Sequence, residues 1–131
     1  MSEKQKSRLA QVLRDFVSCG YSIYFHHGAC KGADVEADQI ARNLGVKEDF
    51  MHIHPSTSDK TRVECWEMGD HLYKKEAPLV RDRQMVDIAA KNNGLLIAAP
   101  KNEKVRELRS GTWYTVRYAE SKKMQVIILP R

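Results

Sequence analysis

The side chains able to do chemistry gather first in residues 21–34, YSIYFHHGACKGAD. An aromatic and β-branched run, Tyr21–Phe25, leads into a short loop with glycines at Gly28 and Gly32, and a helical pattern starts almost at once. A strand that runs into a small-residue loop and then a helix is how α/β proteins build an anion site. The first amides of the helix lack intrahelical acceptors, and the helix dipole adds partial positive charge. Ser110, Gly111 and Thr112 stand in the same relation to the last helical pattern, so two loops can face one anion or two ends of a larger ligand. Arg81 and Arg83, in PLVRDRQM, fall in the first turn of a third helix. A guanidinium there can grip a phosphate or carboxylate with two parallel N–H bonds. The first loop matches neither G-x-x-x-x-G-K-[ST] nor G-x-G-x-x-G, so nothing supports triphosphate hydrolysis or the dinucleotide fingerprint.

The remaining reactive side chains give weaker signals. His26, His27, His52 and His54 fall at the ends of the first two strand patterns, and His52 and His54 share a face at i and i+2. No carboxylate or cysteine completes a recognisable ligand set with them, so neither a metal nor a cofactor is expected. Cys30 lies in the anion loop, but a nucleophile needs a positioned base and none is identifiable, which leaves it a small packing residue. Asp34 reads as a helix N-cap.

Periodicity supplies the elements that position these residues. Residues 3–18 carry Leu9, Val12, Leu13, Phe16 and Val17 at helical spacing, and Gly20 is placed as a stop. A second helix runs from Asp34 with Ala37, Ile40, Ala41 and Leu44 inward, to Gly45. Phe50–His54 is a short strand ending at Pro55. Residues 55–77 are long and polar but hold Trp66 and Met68, as a lid containing some helix would. Helix Leu79–Lys91, strand Leu95–Ala99, a charged loop from Pro100 to Ser110, helix Thr112–Lys122 and strand Val126–Leu129 complete the chain. Alternating helices and near-continuous apolar strands predict an α/β fold with a parallel sheet covered on both faces.

The totals agree with one domain. The chain has 131 residues, 42% hydrophobic and 30% charged, and no apolar run long enough for a membrane span. Three cysteines without C-x-x-C spacing fit reduced thiols, and a cytoplasmic protein is expected. A formal charge of +5 favours an anionic partner. Most Lys and Arg are scattered, however, which counts against nucleic acid and suits a solvated surface.

With HGACKGAD, APLVRDRQMVDIA, LLIAAP and RSGTWYTVRYA in that order, the chain resembles the SLOG superfamily. These are Rossmann-like nucleotide-ligand proteins related to DprA and to the Lonely Guy (LOG) phosphoribohydrolases. The likeness spans residues 21–129. It implies a Rossmann-like three-layer sandwich and a ligand site of His27, Gly28, Ala29, Cys30, Lys31, Gly32, Asp34, Glu36, Arg81, Ser110, Gly111 and Thr112. In that site Gly28–Gly32, Lys31, Arg81 and Ser110–Thr112 would hold phosphate, and His27 and Glu36 ribose or base. Two departures matter. Thr115 stands where LOG enzymes carry a glutamate used in N-glycosidic cleavage, and a hydroxyl cannot act as a carboxylate base. The strand that usually precedes the first helix is missing, so a small sheet of about four strands is expected, completed by a second copy in a homodimer. The implied function is binding of a nucleotide or nucleotide-derived signal, of ADP-ribose or cyclic-nucleotide type, as sensor or sequestering protein in antiviral defence. Phosphoribohydrolase activity and DprA-like binding of single-stranded nucleic acid are the alternatives.

Overall fold

Helix α1 (Glu3–Ser18) begins with a reciprocal cap. In the computed structural model, which describes residues 1–131 throughout, Ser2 Oγ accepts the Gln5 N–H at 3.1 Å and Gln5 Oε1 accepts the Ser2 N–H at 3.0 Å. Leu9, Val12 and Leu13 form the buried part of the stripe that the periodicity predicts, Phe16 is half-buried, and Val17 is exposed. Gln5 itself is fully buried, and its Nε2 donates to the carbonyls of Pro100 and Leu129 at 3.0 and 3.1 Å. One amide therefore starts the helix and joins it to the ends of two strands.

The chain continues through β1 (Phe25–His27), α2 (Ala33–Asn43), β2 (Met51–Ile53), β3 (His71–Leu72), α3 (Pro78–Lys91), β4 (Leu95–Ala98), α4 (Gly111–Ser121) and β5 (Gln125–Ile128). A single 3-10 turn, Glu48–Phe50, precedes β2. The α/β class and the parallel pairing are as expected, but the strands form two small sheets, β1-β2-β3 and β4-β5, and not one sheet of about four strands. Apolar contact joins the sheets instead of ladder hydrogen bonds. Ile97, Ala99 and Ile127 pack with Met51, Ile53, Ala29 and Leu129 in one core under α1 and α2. Their alternate neighbours Leu96, Ala98, Val126 and Ile128 meet Trp113 and Val116 of α4 on the other face. No helix is long and apolar enough to cross a membrane.

Two expected boundaries shift. The first strand begins at Phe25, not Tyr21, because Tyr21 N–H returns to the Phe16 carbonyl and finishes α1, while Tyr21 and Tyr24 stay exposed. Residues 55–77 contain no helix. The first half runs antiparallel beside the 29–31 loop, with Lys31 N–H to Thr61 O at 2.8 Å and Val63 N–H to Ala29 O at 2.7 Å. The second half adds β3, in register with β2. Backbone pairing occupies the donors a helix would have used, so the segment is a wall of the glycine loop and not a helical lid. Trp66 packs on the main core.

Candidate functional site

The glycine loop leaves β1 at its carboxyl end, and its conformation is held from several sides. Ala29 is fully buried with φ 53°, a left-handed conformation costly for a residue with a Cβ. It persists because Ala29 N–H donates to His27 Nδ1 at 3.0 Å and its carbonyl takes the Val63 amide. Asp34 is not the N-cap. Gly32, at φ 92°, takes that position without a side-chain cap, and Asp34 lies inside α2. From there Asp34 Oδ2 turns back to accept the Gly28 and Cys30 amides at 3.2 and 3.1 Å. The loop thus supplies its own anion to two of its amides. Those of Ala33, Asp34 and Val35 open the helix without a protein acceptor.

Arg81 is buried at 5% exposure and points into this loop. Its Nη1 donates to the carbonyls of Gly28 and His54, its Nη2 approaches Cys30 Sγ at 3.4 Å, and its Nε pairs with Asp82 at 2.7 Å. A Cβ at residue 28 would collide with the guanidinium, which is why glycine stands there. Arg83, by contrast, is exposed and forms no ion pair, so Asp82 is the partner of Arg81 and not of Arg83.

Asp82 is the residue that sequence reasoning passed over. Burial raises its carboxyl above the ordinary range, while the paired Arg81 guanidinium pulls it back. Asp82 follows Arg81 near the start of α3, which packs against α4. On α4, Ser110 caps the helix by accepting the Trp113 N–H at 3.3 Å, and Thr115 bonds the Gly111 carbonyl at 2.9 Å. A side chain at Gly111 would meet open space.

Two predicted ligand contacts serve the fold. Glu36 pairs with Lys6 Nζ at 2.8 Å and with the Met1 amino group at 2.5 Å, tying α2 to α1. His27 uses both ring nitrogens internally, Nδ1 for the Ala29 amide and Nε2 for Asp38 at 2.7 Å. Lys31 is exposed at the loop tip.

His27, Asp38 and Cys65 bring three donor atoms within 4.8 Å of one another, a set the sequence spacing did not reveal. The set fits a metal poorly. Because Nδ1 accepts an amide N–H, the imidazole proton sits on Nε2, the atom that would have to ligate. Burial alone would raise the Asp38 carboxyl, but hydrogen bonds from His27 and Arg42 outweigh it and hold Asp38 low. Both Asp38 oxygens are engaged by Arg42, at 2.8 and 3.2 Å, and Arg42 continues to buried Asp70 at 2.6 Å. Burial, with Asp38 beside it, pushes the Cys65 thiol up to about 11. The trio is a satisfied polar network that steadies β1 on α2.

A depression of about 450 Å³ lies elsewhere, lined by Arg42, Val46, Lys47, Glu48, Asp49, Glu67 and Gly69 near the start of β2. It is open and mixed in charge. In parallel sheets ligands sit beyond the carboxyl ends of the strands, which favours the glycine loop. Comparison with known proteins finds no match: no family model, curated protein or solved structure is significantly similar to this chain.

Proposed function

We propose that the chain is a SLOG-type, Rossmann-like three-layer domain that holds a nucleotide or nucleotide-derived signal as a sensor or sequestering protein. The ligand is of ADP-ribose or cyclic-nucleotide type. The observation that carries this reading is the meeting of three motifs far apart in sequence. Arg81 of α3 grips the Gly28–Cys30 loop, Asp34 of α2 holds two amides of the same loop, and α3 packs against α4, which carries Ser110–Thr112 at its start. Phosphate falls to Lys31, the free first amides of α2 and the Gly111 and Thr112 amides. It does not fall to the Gly28 and Cys30 amides, which already serve Asp34. The carboxyl groups of Asp34 and Asp82 suit ribose hydroxyls, which donate hydrogen bonds. His27 and Glu36 act as supports. A second copy would pair along the free edges of β3 or β5. A thermal-shift panel of AMP, ADP-ribose and cyclic AMP tests the reading, because a ligand that binds only the folded state raises the melting temperature. At least one member is expected to stabilise the protein, and a panel without any shift overturns it.

One observation favours a second reading, a phosphoribohydrolase with a relocated acid. A buried carboxyl with raised affinity for its proton, beside the Arg81 guanidinium, is suited to protonating a leaving base. Incubation with AMP and chromatography for free adenine separates the two. Adenine release that disappears in Asp82→Asn would establish the enzyme.

A further inference from the structure

Four imidazoles stand on the face of β1-β2-β3 opposite the main core. His26, His52 and His71 occupy one cross-strand row, with ring centroids 4.4 and 4.5 Å apart. His54 is fully buried, stacks on Tyr73 at 3.9 Å, and brings its Nε2 to 2.9 Å from His26 Nδ1. His54 Nδ1 meets Gln84 Oε1 of α3 at 2.9 Å. An amide oxygen only accepts, so the His54 proton lies on Nδ1, and Nε2 accepts the N–H of His26. This pair can share one added proton by reversing their common bond. Two added protons leave N–H facing N–H.

The ionisable groups that face the pair all oppose its charging. They are His52 from β2, His71 from β3 and Arg81 from α3, with the Tyr73 hydroxyl engaged by His52 Nδ1 at 2.9 Å, while His27 lies on the opposite face of β1, bonded to Asp38. The nearest carboxylate on α3, Asp82, is taken by Arg81. Burial first, then the neighbouring imidazoles, push His26 down to about 3. Burial likewise lowers His54 to about 4, against the Gln84 bond, which favours its charge. His54 is also an anchor of the cradle. Its carbonyl accepts Arg81 Nη1 at 3.3 Å, and Arg81 and Gln84 lie three residues apart on one side of α3.

We propose that this imidazole cluster is an acid-operated release for the cradle: proton uptake by the His26–His54 pair parts the two rings, and charged His54, which keeps its bond to Gln84, shifts α3 and draws Arg81 off the Gly28–Cys30 loop. The reading under Proposed function enters only in what is released, since the opening itself needs no ligand. Cys30, in contact with Arg81, reports the opening, and exposed Cys19 is the internal reference for thiol reactivity.

Labelling with a pyridyl disulfide, followed by peptide mass spectrometry, gives the Cys30-to-Cys19 ratio between about pH 7.5 and 4. The ratio is expected to rise roughly tenfold with acid while far-UV circular dichroism holds, as in a local opening. In His26→Gln the amide can donate to neutral His54 or, rotated, accept from the charged ring, so the ratio should stay flat. A flat ratio in the wild type, a variant that follows the wild-type curve, or loss of helix signal over the same interval overturns the proposal. Should His26→Gln fail to fold, imidazole proton resonances of the wild type decide. His26 and His54 must titrate over the interval in which Cys30 opens, and titration outside it overturns the proposal.

Discussion

At the scale of single residues, Arg81 and Gly28 form one unit. The guanidinium supplies donors to the buried Gly28 and His54 carbonyls and a charge to Asp82. Arg81→Leu strands all three and should cost about 3 kcal/mol, since an orphaned buried carbonyl or charge is more expensive than a lost contact. Gly28→Ala keeps the arginine but drives it from its place, and should cost about 2 kcal/mol by overpacking. Urea unfolding of each variant checks both, and midpoints within error of the wild type would refute the account of this contact. Part of this was legible beforehand. The types and spacing of Gly28 and Gly32 marked a tight loop, because close approach and positive φ select glycine. The carbonyls that receive Arg81 and the amides that Asp34 takes were not legible, since they depend on distances across the fold and not on periodicity.

At the scale of elements, α1 depends on Gln5 more than its polar character implies. Gln5→Leu leaves the Pro100 and Leu129 carbonyls without their donor and should lower stability by about 2 kcal/mol. The same urea measurement reads it, and Gln5→Glu, which cannot donate, should behave likewise. The histidine face makes the β1-β2-β3 sheet sensitive to acid. His26, His52 and His54 all bind protons less readily in the folded chain than at the ordinary value of 6.5. Their contribution is therefore complete above 6.5 and is lost as pH falls towards the folded values of about 4 and 3. Asp82, raised by burial, works in the opposite direction and softens the loss at the acid end. The urea midpoint should fall steadily between about pH 6.5 and 5, and a constant midpoint there would contradict the sign. Helices α1, α2, α3 and α4 were readable to within about two residues, as strong amphipathic periods permit. The two-residue strand β3 and the paired wall that replaced a helical lid were not, because their bonds are made with segments remote in sequence.

For the whole molecule, the proposed function requires the glycine loop with α2, Arg81 of α3 and the start of α4 to act as one cradle for a phosphate-bearing nucleotide ligand. Arg81 is paired with Asp82 and Asp34 takes two loop amides, so the anionic end of a ligand is left to exposed Lys31 and the free first amides of α2 and α4. Gly111 offers a clean way to perturb only the phosphate end. It lies at the first position of α4 and a side chain there meets open space. Gly111→Asp places a carboxylate where a phosphate would sit, and a carboxylate there should leave stability unchanged or raise it by about 0.5 kcal/mol. The most direct measurement is calorimetric titration of wild type and Gly111→Asp with AMP, ADP-ribose and cyclic AMP. The account predicts that at least one of them binds the wild type more tightly than about millimolar and the variant at least about tenfold more weakly. Binding no tighter than millimolar throughout, or equal affinity for both proteins, would contradict it.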